Sequence, residues 1–172
     1  MSFEQSFDRL KKEFGAKILS LEVDRVGCPV ITVTKDIVIT ILGFLKQGED
    51  FDFLFLADLT AYDDLDQTDG SQGRFVVVYN LLSPARQARV RIKVRLKDGE
   101  SVPTATPLWK AANWAEREVW DMYGIAFEGH PDLRRIMMDQ RFEGHPQRKD
   151  YYWRKYQLFL DAEPIPEHLL KD

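Results

Sequence analysis

The sequence contains one cysteine, Cys28, set between a glycine and a proline in "VGCPV". No disulfide can close within it, and iron–sulfur clusters or zinc ribbons that need several thiolates cannot be assembled from it. A small buried thiol is the expected role of Cys28. An excess of positive charge is also missing: 24 Lys and Arg stand against 28 Asp and Glu, a formal net charge of -4, where a nucleic-acid binder is normally basic. Long hydrophobic runs are absent too. The longest nearly continuous one, Ile37 to Leu45, falls far short of the roughly 20 residues that span a bilayer. The first residues, "MSFEQSFDRLKKEFG", interleave charged and apolar side chains and carry no signal-peptide core. A soluble cytoplasmic chain, able to dock on a membrane complex, is expected. Nor is there a GxSxG elbow or a glycine-rich phosphate loop, the usual signs of nucleophilic or nucleotide chemistry.

What is present is a chain of 172 residues, 44% hydrophobic and 30% charged, which suits one globular domain with a sizeable core and a tail. Phe3, Phe7, Leu10 and Phe14 form one stripe of an amphipathic helix that Gly15 stops. "AKILSLEV" and "PVITVT" read as short strands around a "DRVGCP" turn. In "KDIVITILGFLKQGED" the β-branched residues favour a strand. Ile37, Val38, Ile41, Leu42 and Leu45 nevertheless share one helical face before Gly48, which favours a helix. "FDFLFLADLTAYDD" reads as a largely buried strand, followed by the acidic loop "DDLDQTDGSQG" and a second strand, "RFVVVYNLLS". "ARVRIKVRLK" is apolar at every even position from 88 to 96 and basic at every odd one from 89 to 97. That period of two marks a strand with one face on a core and the other outward. Strands joined by short turns imply a mostly antiparallel sheet, and the flanking helices make the fold α+β.

The basic row Arg89, Arg91, Lys93, Arg95 and Lys97 invites an RNA-binding reading. No aromatic residue interleaves on that face to stack a base, and residues 49–73 carry eight acids without a Lys or Arg. A solvated or internally paired face is the expectation.

"ESVPTATP" reads as a linker, with Thr106 capping and Pro107 opening a helix that Gly124 closes. Leu108, Ala112, Ala115, Val119 and Met122 form its apolar seam, while Arg117, Glu118 and Asp121 lie away from it beside Trp114 and Trp120. Beyond Gly124 periodicity stops. Residues 128–155 hold five acids, seven Lys or Arg and two of the three histidines, a length without periodicity that is unusual unless functional or wrapped on something. The histidines sit in a repeated "EGHP". His130, Asp132 and His145, with Glu116 and Glu118, could offer metal ligands, but the spacing is not that of a helical HExxH site. Pro131 and Pro146 force each histidine into a bend, and no nucleophile accompanies them for acid–base catalysis. A clamp accounts for more residues: two Gly-His-Pro bends, each followed by donors (Arg134 and Arg135, then Arg148 and Lys149) for carboxylates of this domain or of a neighbour.

The stretch "WAEREVWDMYGIAFEGHPDLRRIMM…FEGHPQRKDYY" resembles the signature of the thirty-kilodalton subunit family, the C subunit of proton-pumping NADH–quinone oxidoreductase (respiratory complex I). The resemblance is nearly unbroken from Trp114 to Asp150 and looser before it. It departs from the family pattern at Tyr152, where proline is usual, and at Phe142, where tryptophan is common. It implies an α+β domain over residues 1–124, followed by an extended partner-binding segment and tail over 125–172, in a separate subunit with no catalytic residue, metal or redox cofactor of its own. FMN and iron–sulfur clusters would reside in other subunits, which pass electrons from NADH to a quinone. The implied partners are the quinone-site (D) subunit and the B and I subunits, on the cytoplasmic face of the bacterial inner membrane. Carried over by position, the charged network and docking surface would comprise Glu116, Arg117, Glu118, Asp121, Tyr123, Gly124, His130, Pro131, Asp132, Arg134, Arg135, Gly144, His145, Pro146, Arg148, Lys149 and Asp150. From Tyr151 on, Tyr152, Trp153, Tyr156, Phe159 and Leu160 imply a partner that buries them. The same signature also fits a membrane-bound hydrogenase, formate hydrogenlyase or F420-dependent complex. A free-standing metal-dependent hydrolase built on His130, Asp132 and His145, and an RNA-binding module built on the basic strand, are the rivals from other classes.

Overall fold

The alternation of apolar and basic side chains in β5 (Ala88–Leu96) places it at the centre of a five-stranded sheet in the computed structural model. The structure describes residues 3–48, 50–66, 73–152 and 157, with side chains from residue 8 onward. The side chains of Phe3 and Phe7, the middle of the acidic loop (67–72), and the tail residues Trp153, Tyr156, Phe159 and Leu160 lie outside the described residues.

On one side of β5 lies β4 (Phe75–Ser83), then β3 (Phe55–Asp63) at the edge. On the other lie β2 (Pro29–Val33) and β1 (Ile18–Val23). Val90, Ile92, Val94 and Leu96 are buried and stand opposite Leu81, Tyr79, Val77 and Phe75 of β4. The expected mostly antiparallel sheet is found, with one parallel pairing, β2 on β5. The ambiguous stretch after β2 is a 3-10 turn, Lys35–Ile37, leading into helix α2 (Val38–Gln47). Val38, Ile41, Leu42 and Leu45 of α2 are buried on one side, a stripe that the two-residue alternation of a strand would have split between faces. Helix α1 (Phe3–Phe14) adds Leu10 to the core and sets Phe14 edge-on to Phe44 at 5.4 Å.

The middle of the basic row on the outer face is paired from within. Arg91 donates to Asn80 at 2.9 Å and lies 3.2 Å from Asp24, Arg95 is 2.9 Å from Asp64, and Lys93 covers the Tyr62 ring at 5.6 Å. Arg95 and Lys93 stand directly across from Val76 and Val78, which are buried although they face outward. The aliphatic stems shelter the valines while the charges find carboxylates.

Three expectations need correcting. "FDFLFLADLTAYDD" is not largely buried: β3 is an edge strand, Leu54 and Phe55 are exposed, and only Leu59, Ala61 and Asp63 of β3 are buried. "ESVPTATP" is not a linker: β6 (Val102–Pro103) pairs with β7 (Phe127–Glu128), and Thr104 and Ala105 are buried. Thr106 does not cap a helix opened by Pro107. Helix α3 spans Ala112–Tyr123, and the Thr106 hydroxyl instead bonds that of Thr104 at 2.9 Å. The physical reason is shared by the last two: Glu116 bonds Thr104 and Ala105, drawing this segment against the side of the helix and away from its axis. Cys28, expected as a buried thiol, is half-buried in the β1–β2 turn. The expected division at residue 124 falls at the left-handed Gly124, and β7 just beyond it pairs back onto β6.

Burial on β5 sets a stability contrast within one strand. Ile92 is fully buried, whereas Arg89 is exposed. Ile92→Ala should cost about 3 kcal/mol and Arg89→Ala no more than about 0.5 kcal/mol, read from urea unfolding midpoints. Equal shifts would contradict the assignment of the two faces.

Candidate functional site

An α-helix ends with carbonyls that no later turn can bond. At the end of α3 every one of them is taken by the chain that follows. The Trp120 carbonyl accepts from Gly124 N at 2.8 Å, and the Asp121 carbonyl accepts from His145 Nδ1 at 2.9 Å. The Met122 carbonyl accepts from Gln147 N at 3.0 Å, and the Tyr123 carbonyl accepts from Arg148 Nε at 2.7 Å. The second Gly-His-Pro element is therefore a helix cap supplied from more than twenty residues away. A cation at that end also complements the helix dipole. Gly124, at φ +77°, holds the turn, and a side chain there would meet the His145 ring at 2.6 Å. The position needs glycine both for its left-handed backbone and as the seat of the imidazole.

Through both Gly-His-Pro elements the chain runs as a strap, residues 125–151, along one row of α3. Asn113, Arg117 and Asp121, each four residues apart, face it. The Asn113 carbonyl accepts from His130 Nε2 at 3.0 Å. Arg117 donates to the carbonyls of Arg134 at 3.1 Å and Arg135 at 3.2 Å. The fully buried Asp121 Oδ2 accepts three consecutive backbone N–H groups, from Ile136, Met137 and Met138, at 2.8–3.0 Å, while Oδ1 accepts from Arg135 at 2.5 Å. Burial alone would raise the Asp121 carboxyl. The three amides and the guanidinium outweigh it and hold the group below the usual carboxylate range. Arg135 completes the packing, its guanidinium 5.6 Å from both the Trp120 and Phe142 ring centres.

Under the first Gly-His-Pro element lies Glu116, completely buried. It accepts from the Thr104 hydroxyl at 2.5 Å and from Ala105 N at 2.6 Å, and its Oε2 lies 3.9 Å from His130 Nε2. Here burial wins: it pushes the carboxyl up to about 7 in spite of the two donors. His130 is held as one tautomer, because Asp132 N donates to its Nδ1 at 3.0 Å and so leaves the proton on Nε2.

The strap finishes at the end of the sheet. Asp63, buried at the end of β3, accepts a bidentate pair from Arg74 at 2.9 and 2.5 Å, and also Lys149 N at 2.9 Å. Arg74 reaches on to Asp150 at 2.6 Å, Arg148 binds Asp98 at 2.7 Å, and Lys149 binds Asp66 at 2.7 Å. Burial opposes ionisation of Asp63, but Arg74 and the backbone donors of Lys149 and Leu65 bring its carboxyl below the ordinary value. Gly144, at φ +88°, lets the chain turn against the Tyr151 ring.

Of the residues picked out from the sequence, Glu116, Arg117, Asp121, Gly124, His130, Arg135, His145, Arg148, Lys149 and Asp150 are joined by these contacts within the chain. Tyr123 contributes its carbonyl, Gly144 and Pro146 shape the bend, and Glu118, Pro131, Asp132 and Arg134 are exposed. The proposed metal ligands are not brought together. His130 and His145 sit at helix positions eight residues apart, roughly 12 Å along the axis, and among the described residues no three His, Cys, Asp or Glu form a metal-holding group. Asp63, Arg74, Asp98, Thr104 and Gln147 were missed. Their partners are far away in sequence, and the acid-rich stretch around Asp63 reads equally well as counter-charge for β5, the role its neighbour Asp64 does play.

Known proteins share this sequence and fold. Residues 31–157 match a family described as "Respiratory-chain NADH dehydrogenase, 30 Kd subunit". The second NADH-quinone oxidoreductase C subunit of Rhizobium etli (strain CIAT 652) is 45% identical over 158 residues, covering 91% of this chain and 82% of that protein. A fused C/D subunit of the NADH-quinone oxidoreductase of Pseudomonas aeruginosa is 42% identical over 83% of this chain, which spans 24% of the longer polypeptide. Among solved structures, the trypsin-resistant fragment of Nqo5 is 34% identical and superposes with a TM-score of 0.64, covering 74% of this chain and 98% of the fragment.

Two measurements test the strap. Asp121→Asn removes the charge facing Arg135 and presents an N–H to one of the donors; it should cost about 3 kcal/mol and speed hydrogen exchange at the amides of Ile136, Met137 and Met138. Unchanged exchange would mean that Asp121 does not hold them. Glu116 is favoured protonated in the folded state, so its stabilising contribution is complete below its ordinary value of 4.5 and is lost as pH rises through about 7. Relative to Glu116→Gln, the parent should lose about 3 kcal/mol between pH 4.5 and pH 8, read by urea titration at each pH. Parallel pH profiles would refute this.

Proposed function

The chain belongs to the respiratory-chain NADH dehydrogenase 30 kDa subunit family, and we propose from that membership that it is the C subunit of an NADH-quinone oxidoreductase, a hydrophilic-arm component that holds the quinone-site (D) subunit in position. Relatives at about this identity carry that name. The hydrogenase-type alternative has less support, since both the family description and these relatives point to the NADH-linked complex.

Within the complex this chain acts by position and carries no catalytic residue. The observation that supports this reading is the commitment of the two described histidines and of the buried carboxylates. His145 caps α3, both nitrogens of His130 are hydrogen-bonded, and Asp121 is saturated with donors. A catalytic acid or base needs a proton position facing substrate. FMN, iron–sulfur clusters and quinone belong to other subunits. The fused C/D relatives support the D subunit as a neighbour, and the family resemblance adds the B and I subunits. No described helix is long and apolar enough to cross a membrane, and the family resemblance is what puts the chain at the periphery, on the cytoplasmic face. A prefolded strap fits such a role, because ordering it before association spares the complex that conformational entropy.

Affinity purification of the tagged chain from detergent-solubilised membranes tests the reading. The quinone-site subunit and the NADH-oxidising subunits should co-purify in equal amounts, and the isolated chain should neither oxidise NADH nor reduce a quinone. Co-purification with hydrogenase subunits, or turnover by the isolated chain, would overturn it.

A further inference from the structure

We propose that the face made by Trp114, Arg117, Arg134 and Met137 is the seat of a segment of the quinone-site (D) subunit that presents a carboxylate beside an apolar side chain. The inference rests on the functional reading above and adds the place and chemistry of the contact.

The geometry of the strap leads to this face. Arg117 and Asp121 bind the backbone of residues 134–138, and the Asn113 carbonyl holds the His130 ring, so residues 134–138 have their polar main chain turned to the helix. Arg135 turns inward to Asp121 and Leu133 packs toward the core, while the side chains of Arg134 and Met137 are turned the other way. Met137 is 64% exposed, and Trp114, one position along the helix from Asn113, is 66% exposed. Arg117 lies 5.5 Å from the Trp114 ring centre and is fixed by its two carbonyl acceptors. It therefore brackets the exposed indole without needing to be ordered on binding.

The unfilled hydrogen-bonding capacity is cationic. Arg135 and Arg148 spend their terminal nitrogens on Asp121, Gly144 and Asp98. Arg134 bonds only through Nε to the neighbouring Asp132, and Nη1 of Arg117 is unused, so three guanidinium nitrogens on this face have no acceptor among the described residues. A planar guanidinium with free terminal N–H groups is matched by a carboxylate. Trp, Met and Arg together are also the side chains enriched at protein contacts.

The quinone-site subunit is the occupant because the fused relatives join it covalently to this domain. In those relatives the tether raises its local concentration over the strap to the millimolar range, and a patch of four side chains there is sufficient to set orientation.

The test uses the whole complex. Arg134→Glu with Met137→Ser should leave the urea midpoint of the chain unchanged, since both side chains are exposed, and should lower recovery of the quinone-site subunit with the tagged chain at least tenfold. A photo-crosslinker at position 137 should capture that same subunit. Undiminished recovery, or a crosslink to a different polypeptide or to a second copy of this chain, overturns the assignment of this face while the functional reading stands. If the unaltered chain recovers no quinone-site subunit at all, both fall together.

Discussion

The end of α3 is the constraint on which the rest of the molecule depends. Helix C-termini usually close on a local turn or on water. Here Gly124 closes one carbonyl, and the other three wait for residues beyond position 144. A buried carbonyl without a donor costs about 1–3 kcal/mol, so the strap must return for the helix to end where it does. Its return in turn brings Arg148, Lys149 and Asp150 to the sheet end, where Arg74 and Asp63 are already joined. Helix, strap and sheet thus share one hydrogen-bond system. The glycine that begins it is determined twice over, by its backbone angle and by the ring resting on it.

Electrostatics divides the buried carboxylates into two kinds. Asp63 and Asp121 are surrounded by donors that outnumber the effect of burial, so both are held as anions and contribute at neutral pH. Glu116 has two donors and a neutral imidazole beside it, and burial dominates. The difference follows from what surrounds each group: guanidinium and backbone amides for the aspartates, a hydroxyl and one amide for the glutamate. Acid weakens the Asp63 and Asp121 anchors and relieves Glu116, while alkali does the reverse. The two kinds of group narrow the pH range over which the strap is firmly held from opposite sides.

Much of this was legible in the sequence wherever periodicity speaks. The alternation in β5, the buried stripe of α2 and the left-handed stop at Gly124 each express a local rule, and each is found. The clamp made by the doubled Gly-His-Pro was also legible as a clamp, but the sequence left open whether it grips this domain or a neighbour. Arg148 and Lys149 grip this domain. The failures have a common physical origin. "ESVPTATP" looks like a linker because its Thr and Pro content favours turns, yet Glu116, more than ten residues away, binds it into the core. "FDFLFLADLTAYDD" looks buried because it is apolar, but an edge strand pairs on one side only. Burial and long-range pairing are properties of topology, which local pattern does not carry.

The way the strap is held also explains how one segment can be both rigid and open to a neighbour. A chain that docks through its own side chains spends them on the docking. Here α3 supplies the side chains, and from residue 134 to 138 it binds mainly carbonyls and amides of the strap, groups present at every position whatever the sequence. The outward side chains are released from structural duty, and Arg134 and Met137 can be chosen for what lies beyond the molecule. Arg135 is the exception that fixes register. It alone in this run turns inward to Asp121, between two aromatic rings, so the backbone cannot slide along the helix without leaving a buried carboxylate unpaired. Backbone capture gives order, the single inward arginine gives alignment, and the remaining side chains are left to the neighbour.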